Sequence, residues 1–148
     1  MADVDKIIKK KHNNDLDIGK IVNPTSNNLV ADIKLEKNMK GYNQSNLIEM
    51  AKSDIKPNIR LEAVRHINDD SNLAEIAKNS SYKDVCSKAV ELISEELFLV
   101  DIAKNASYNS IRLKAVRNIN NKLLLEDISK NISSISVSLE AIKKIRNM

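Results

Sequence analysis

The side chains able to carry covalent or proton-transfer chemistry are few. Cys86 is the single cysteine in 148 residues, and the only histidines are His12 and His66. A thiol becomes a nucleophile when a base or cation stabilises its thiolate, and neither histidine lies close to Cys86 in the chain. Arg60, Arg112 and Ser138 stand at steps of 26 residues from Cys86, a polar company that predicts a partly exposed, inert thiol. One cysteine forms no disulfide within the chain and no all-cysteine zinc or iron–sulfur site. The two histidines lack the spacing to acids that a helical metal site needs. Paired carboxylates, nucleophile–base arrangements and Gly-rich phosphate loops are missing too. The expectation is a non-enzyme with no cofactor and no metal.

Binding is the remaining class of function, and charge is its first signal. The formal net charge is +4 with a pI near 9.1, mildly basic, so an anionic partner is compatible with it. The basic excess gathers late in the chain, because nine Lys and Arg against four Asp and Glu occupy residues 99–148. Arg112, Lys114 and Arg117 concentrate it, and Lys143, Lys144 and Arg146 extend it to the C-terminus. These six are either a solvated polar face or a footprint for phosphate or an acidic protein surface. Base stacking would need aromatic residues among them, and only Tyr108 is near, so any nucleic-acid binding is expected to be weak and salt-dependent. Tyr82 and Tyr108 share one position of a repeating unit, where they either pack a turn or form a small binding edge.

The elements that carry these residues follow from self-similarity. Sliding the chain by 26 residues aligns LIEMAK, LAEIAK, LVDIAK and LEDISK, beginning at Leu47, Leu73, Leu99 and Leu125, without an insertion. Such a register marks a repeat architecture. Ala63, Ala89, Ala115 and Ala141 form one column, and Val64, Val90, Val116 and Ile142 the next. Ile67, Ile93, Ile119 and Ile145 form a third, with Ile59, Val85, Ile111 and Val137 in a fourth. Leu73, Ile76 and Ala77 close on one helical stripe, as do Ile111, Ala115, Val116 and Ile119, so each unit should hold two helices. Lengths of about 8 and 11 residues would fill it. Asn46 with Glu49 and Asn72 with Glu75 predict capping boxes for the first helix, Ser81 with Asp84 one for a second helix, and Pro57 a first turn. One unit has too few apolar side chains to offset the ordering of its backbone, so units must share their faces, with the alanine column at closest approach.

Two charge ladders run through the units. Glu49, Glu75, Asp101 and Asp127 form one, and Lys52, Lys78, Lys104 and Lys130 the other, three residues later. They are either stripes for a charged partner or acids and bases placed to suit the helix dipole and to pair at i, i+3.

The pattern L-x-x-I-A followed by V/I-R-x-x-A-V-x-x-I resembles the HEAT-like family of helical repeats. The short period is also similar to the leucine-rich repeat variant, whose units pair an α-helix with a 3-10 helix; that likeness implies a first helix that is partly 3-10. Some members of the variant carry a cysteine-ligated iron–sulfur cluster, which Cys86 alone departs from. The resemblance implies an all-α fold, an α-solenoid of four tandem two-helix repeats at 47–72, 73–98, 99–124 and 125–148, serving mainly as a binding scaffold.

Residues 1–46 differ in composition, holding Gly19, Gly41, Pro24 and many Asn. Val4, Ile7 and Ile8 suit one helix and Leu29, Ile33 and Met39 a second, with a loop at 23–28 between them; the segment is either a helical cap or a flexible piece. At the other end, Ile132 and Ile135 replace mostly polar residues and either close the last unit's core or form a dimer or partner contact. The longest apolar run, Leu97 to Val100, is far below the roughly 20 residues of a membrane span. With no secretory pattern at the N-terminus and a lone cysteine, a cytoplasmic protein is expected. The functional expectation is a non-catalytic protein–protein interaction scaffold favouring an acidic partner, with weak nucleic-acid binding by the basic residues as the alternative.

Overall fold

The computed structural model describes residues 38–148. Among them it is all-helical, without a strand, and no helix is long and apolar enough to cross a membrane. The chain divides into two compact units, Met1–Ile67 and Asn68–Met148. The expectations for Val4, Ile7, Ile8, His12, Leu29, Ile33 and the loop at 23–28 lie outside the described residues.

In the first unit a 3-10 turn at Met39–Gly41 precedes α1 (Gln44–Lys52) and α2 (Pro57–Arg65), which pack against each other. Met39 sits fully buried in the 3-10 turn instead of lining an α-helix. Pro57 opens α2 as expected, where its missing N–H has no helical partner to lose.

The second unit holds α3 (Asp70–Asn79), α4 (Lys83–Leu92), α5 (Glu96–Asn105), α6 (Asn109–Asn118), α7 (Lys122–Asn131) and α8 (Ile135–Arg146). They pack as antiparallel neighbours α3 with α4, α5 with α6 and α7 with α8. First helices also touch first helices, α3 to α5 to α7, and second helices touch second helices, α4 to α6 to α8. The alanine column explains the close fit, since Ala63, Ala89, Ala115 and Ala141 are all fully buried. Leu73, Leu99 and Leu125 join them in the core, with Ile76, Ile102 and Ile128 one helical turn later.

The helices depart from the sequence expectation in length and in start. Helices α3, α4, α5 and α6 are 10 residues each, so the first helix of a pair is no shorter than the second, and it is α throughout. Only α8, at 12 residues, outruns its partner. Asn46 and Asn72 do not cap: the caps are Asn43 and Asp69, whose side chains accept from the N–H groups of Asn46 and Asn72, both at 2.8 Å. Asn121 repeats the motif for α7. Helices α1 and α3 open a full turn before their first apolar residues, Leu47 and Leu73. Ser81 does not cap α4 either; Tyr82 holds the cap position, and its N–H is taken by Ser80 Oγ at 3.2 Å.

Helix ends need no glycine. Ser80, Ala106 and Ile132 share one column, adopt extended backbone, and donate their N–H to Ile76, Ile102 and Ile128. No described residue has a positive φ, so the tight turns form without the left-handed geometry that glycine serves. Ile132 is thus a half-buried turn residue, unlike the exposed Ile135.

Candidate interaction surface

The six basic residues singled out by sequence differ in what they do within the fold. Three of them join consecutive helix pairs. Lys114 on α6 donates to Glu91 Oε1 and Ser87 Oγ on α4, both at 2.6 Å. Arg117 on α6 donates through Nε to Glu140 Oε1 on α8 at 2.7 Å, and Lys144 on α8 donates back to the Arg117 carbonyl and to Asn120 Oδ1. Their partners register it: Lys114 and Lys88 hold Glu91 below the usual carboxylate range, Arg117 does the same to Glu140, and burial lowers Lys144. Arg112 is half-buried in a column that faces its own helix pair, and its Nε is enclosed without a hydrogen-bond partner. Lys143 and Arg146 stand exposed on α8.

Tyr108 is also engaged within the fold. Its hydroxyl donates to the Ser81 carbonyl at 2.9 Å, and the neighbouring Ser107 donates through both N–H and Oγ to Lys78 O. Both Tyr82 and Tyr108 are half-buried cap residues.

The acid and base ladders pair mainly across helix pairs, not along one helix. Lys78 Nζ lies 2.7 Å from Asp101 Oδ2 and Lys104 Nζ 3.1 Å from Asp127 Oδ2, against 3.9 Å for the i, i+3 contact of Lys78 with Glu75. The Lys78 bond holds Asp101 below its ordinary range and raises Lys78 itself. Adjacent first helices therefore exchange a lysine and a carboxylate at each junction.

Sequence reasoning missed a third link in the same place. Asp70, at the first position of α3, accepts with one carboxylate oxygen from the N–H groups of Ser94 and Glu95, at 2.9 and 2.7 Å. Glu96, its equivalent on α5, takes the N–H groups of Asn120 and Asn121 with one oxygen each, at 2.8 and 3.0 Å. A carboxylate there satisfies two backbone donors in the loop of the next pair. The signal in the sequence was an acid at both positions 26 residues apart, ahead of any apolar residue; α7 carries Lys122 instead.

Cys86 corrects its expectation: it is fully buried, not partly exposed. Its Sγ lies 3.3 Å from Ser80 O and 3.6 Å from Ile76 O, at the end of α3. Arg60 donates to Ile55 O and Ser138 to Ser129 O from the same column. What these side chains share is a donor aimed at a backbone carbonyl, at the end of the preceding helix for Cys86 and Ser138 and in the loop after α1 for Arg60, not affinity for water. Burial pushes the Cys86 thiol up, away from thiolate. His66, on the first unit, contacts Glu62 Oε1 at 3.1 Å, and no group of three or more His, Cys, Asp and Glu gathers as a metal site would among the described residues.

The clearest unpartnered surface is apolar. Ile135, Leu139 and Ile142 follow one another at i, i+4, i+7 along α8 and are 77%, 59% and 39% exposed. Val116, the equivalent of Ile142 on α6, is fully buried, because α8 packs on α6. No described helix covers α8 in the same way.

No family model, curated protein or solved structure matches this chain.

Lys143 and Arg146 lie beside and at the end of the α8 strip, and both are exposed.

Proposed function

We propose that residues 47–148 form an α-solenoid of four tandem two-helix HEAT-like repeats, and that the protein is a non-catalytic, cytoplasmic scaffold for protein–protein interaction with an acidic partner. The succession of like helices across residues 68–148 supports the solenoid, and the 26-residue columns running back through α1 and α2 extend it to four units. The observation that carries the binding role is the exposed run of Ile135, Leu139 and Ile142 on a helix whose other face is packed. Large apolar side chains at helical spacing, rimmed by Lys143 and Arg146, are the composition of a protein-binding surface.

Weak nucleic-acid binding is the poorer reading. Lys114, Arg117 and Lys144 are committed to bonds within the fold, and a phosphate would have to displace Glu91, Glu140 or a backbone carbonyl to use them.

The full chain, immobilised and exposed to a cell extract at physiological salt, should retain a protein that survives nuclease treatment. Labelled DNA and RNA, titrated at low and at high salt, should show no binding comparable to it. Retention abolished by nuclease would overturn the scaffold reading.

A further inference from the structure

We infer that the α8 strip is a docking site one helix wide for an amphipathic helix that brings a carboxylate to Lys143. The inference rests on the scaffold reading and names the place and the chemistry of the partner.

Consecutive helix pairs in residues 68–148 use two rows on their later side. The first-helix row is Asp70, Ala74, Lys78 on α3 and Glu96, Val100, Lys104 on α5; Ala74 and Val100 are buried beneath the next pair. On α7 the row becomes Lys122, Glu126, Lys130, so its apolar centre is replaced by a carboxylate between two lysines. That row suits water. The second-helix row moves the opposite way. It reads Lys83, Ser87, Val90 on α4 and Asn109, Leu113, Val116 on α6, and becomes Ile135, Leu139, Ile142 on α8. Here one row is made wet and the other is made more apolar than its covered equivalents.

Charge then names the occupant. The position after Val90 is Glu91, which meets Lys114 of the next second helix, and the position after Val116 is Arg117, which meets Glu140. Each is answered by the opposite sign from the helix seated on its row. Lys143 follows Ile142 in that same position, so the helix that seats on α8 should present an acid there. Arg146, one turn beyond Ile142, adds to the preference. A second copy crossing antiparallel at Leu139 would lay Lys143 beside the other copy's residues 131–136, which hold no carboxylate to answer it. A partner with an acidic, amphipathic helix satisfies both the apolar strip and its basic end.

The probe is a fluorescent synthetic helix of about 18 residues, long enough to cover the strip, with Leu at i, i+4, i+7 and Glu on the flanks, titrated into the full chain by anisotropy. A matched peptide carries Gln in place of Glu and another carries Lys. The acidic peptide should bind at least about tenfold more tightly than the Gln peptide at low salt, and lose that advantage at high salt. Leu139→Glu, on an exposed position, should keep the melting temperature and weaken the acidic peptide by about tenfold or more. Lys143→Glu should reverse the order of the acidic and Lys peptides. Equal affinity for all three peptides, no binding at about 1 mM peptide, or no effect of Leu139→Glu would overturn the assignment. So would a concentration-dependent dimer in sedimentation that Leu139→Glu dissolves, since a second copy would then be the occupant. If the protein retained from extract is held equally by the Leu139→Glu chain, the scaffold reading stands and the α8 site falls.

Discussion

Replacing Glu96 by Ala tests the carboxylate that ties α5 to the loop ahead of α7. Its two oxygens accept from Asn120 N at 2.8 Å and Asn121 N at 3.0 Å. A net hydrogen bond is worth roughly 0.5 to 1.5 kcal/mol, and Asn120 and Asn121 are exposed enough for water to take up part of the loss, so the pair should cost about 1 to 3 kcal/mol. Loss of an acid from the first turn of α5 adds a few tenths of a kcal/mol, roughly the lower end of a surface helix-dipole term. Urea unfolding should show a lower midpoint with an unchanged slope, the mark of an altered stability at constant buried surface. Glu96→Gln, which keeps one carbonyl acceptor but turns an amide toward the second N–H, should fall between the two. Lys122→Ala, in the same column on α7, should stay within about 0.5 kcal/mol of the parent chain. Amide exchange gives a local check, because Asn120 and Asn121 should lose protection in Glu96→Ala ahead of the helix interiors. Equal shifts for Glu96→Ala and Lys122→Ala, or unchanged exchange at the two amides, would refute the clamp.

Four further outcomes follow from the same packing. A double-mutant cycle on Lys78→Met and Asp101→Asn should give a coupling of about 0.2 to 1 kcal/mol, the range of a half-exposed pair screened by water. Asp101, Glu91 and Glu140 have folded values below their ordinary ones, so the stability they confer is present above the usual carboxylate range near pH 4 and is lost as pH falls through their depressed values; denaturation midpoints measured from neutral pH into acid should decline there, less steeply in Asp101→Asn. Ala115→Leu should destabilise by roughly 1 to 3 kcal/mol through overpacking of a fully buried column, and an unchanged melting temperature would remove Ala115 from the helix interface. Cys86, buried and with its thiol pushed up, should react with a disulfide reagent far more slowly than a small free thiol until urea exposes it; rapid stoichiometric labelling of the native chain would contradict that placement.

The apolar columns were legible because period and burial coincide: Leu73, Ile76 and Ala77 can share one stripe only on a helix, and all three are buried. The starts of α1 and α3 were not, since their first turns carry no apolar residue to mark them, and Asn72 next to Leu73 resembled a cap while Asp69 was the cap. The ladders showed which charges recur but not which pair, because Lys78 can reach both Glu75 along its helix and Asp101 on the next. The side-by-side placement of α3 and α5 selects the shorter contact. Cys86 misled for a related reason, since polar neighbours in a column suggested water, whereas Arg60 and Ser138 are there as donors to backbone carbonyls, of Ile55 in a loop and of Ser129 near the end of α7. The candidate site was legible in part: Ile135, Lys143 and Arg146 were visible as unusual, but the exposure of Leu139 and Ile142 depends on which helix covers which.

The links between helix pairs differ in what they specify. The lysine–carboxylate contacts of the first helices have the same sign at each junction, Lys78 to Asp101 and Lys104 to Asp127, so they hold neighbours together without distinguishing one junction from another. The second helices do distinguish them, because the earlier side is acidic at Glu91 with Lys114 and basic at Arg117 with Glu140. Seating α8 on α4 in place of α6 would set Glu140 against Glu91, so wrong order is opposed by like charge while right order is rewarded. Near-identical units need such a device, since their apolar faces alone would accept several registers. Lys143 stands in the same position as Glu91 and Arg117, so under the docking proposal it is the residue that would make the strip favour an acidic helix over a basic one.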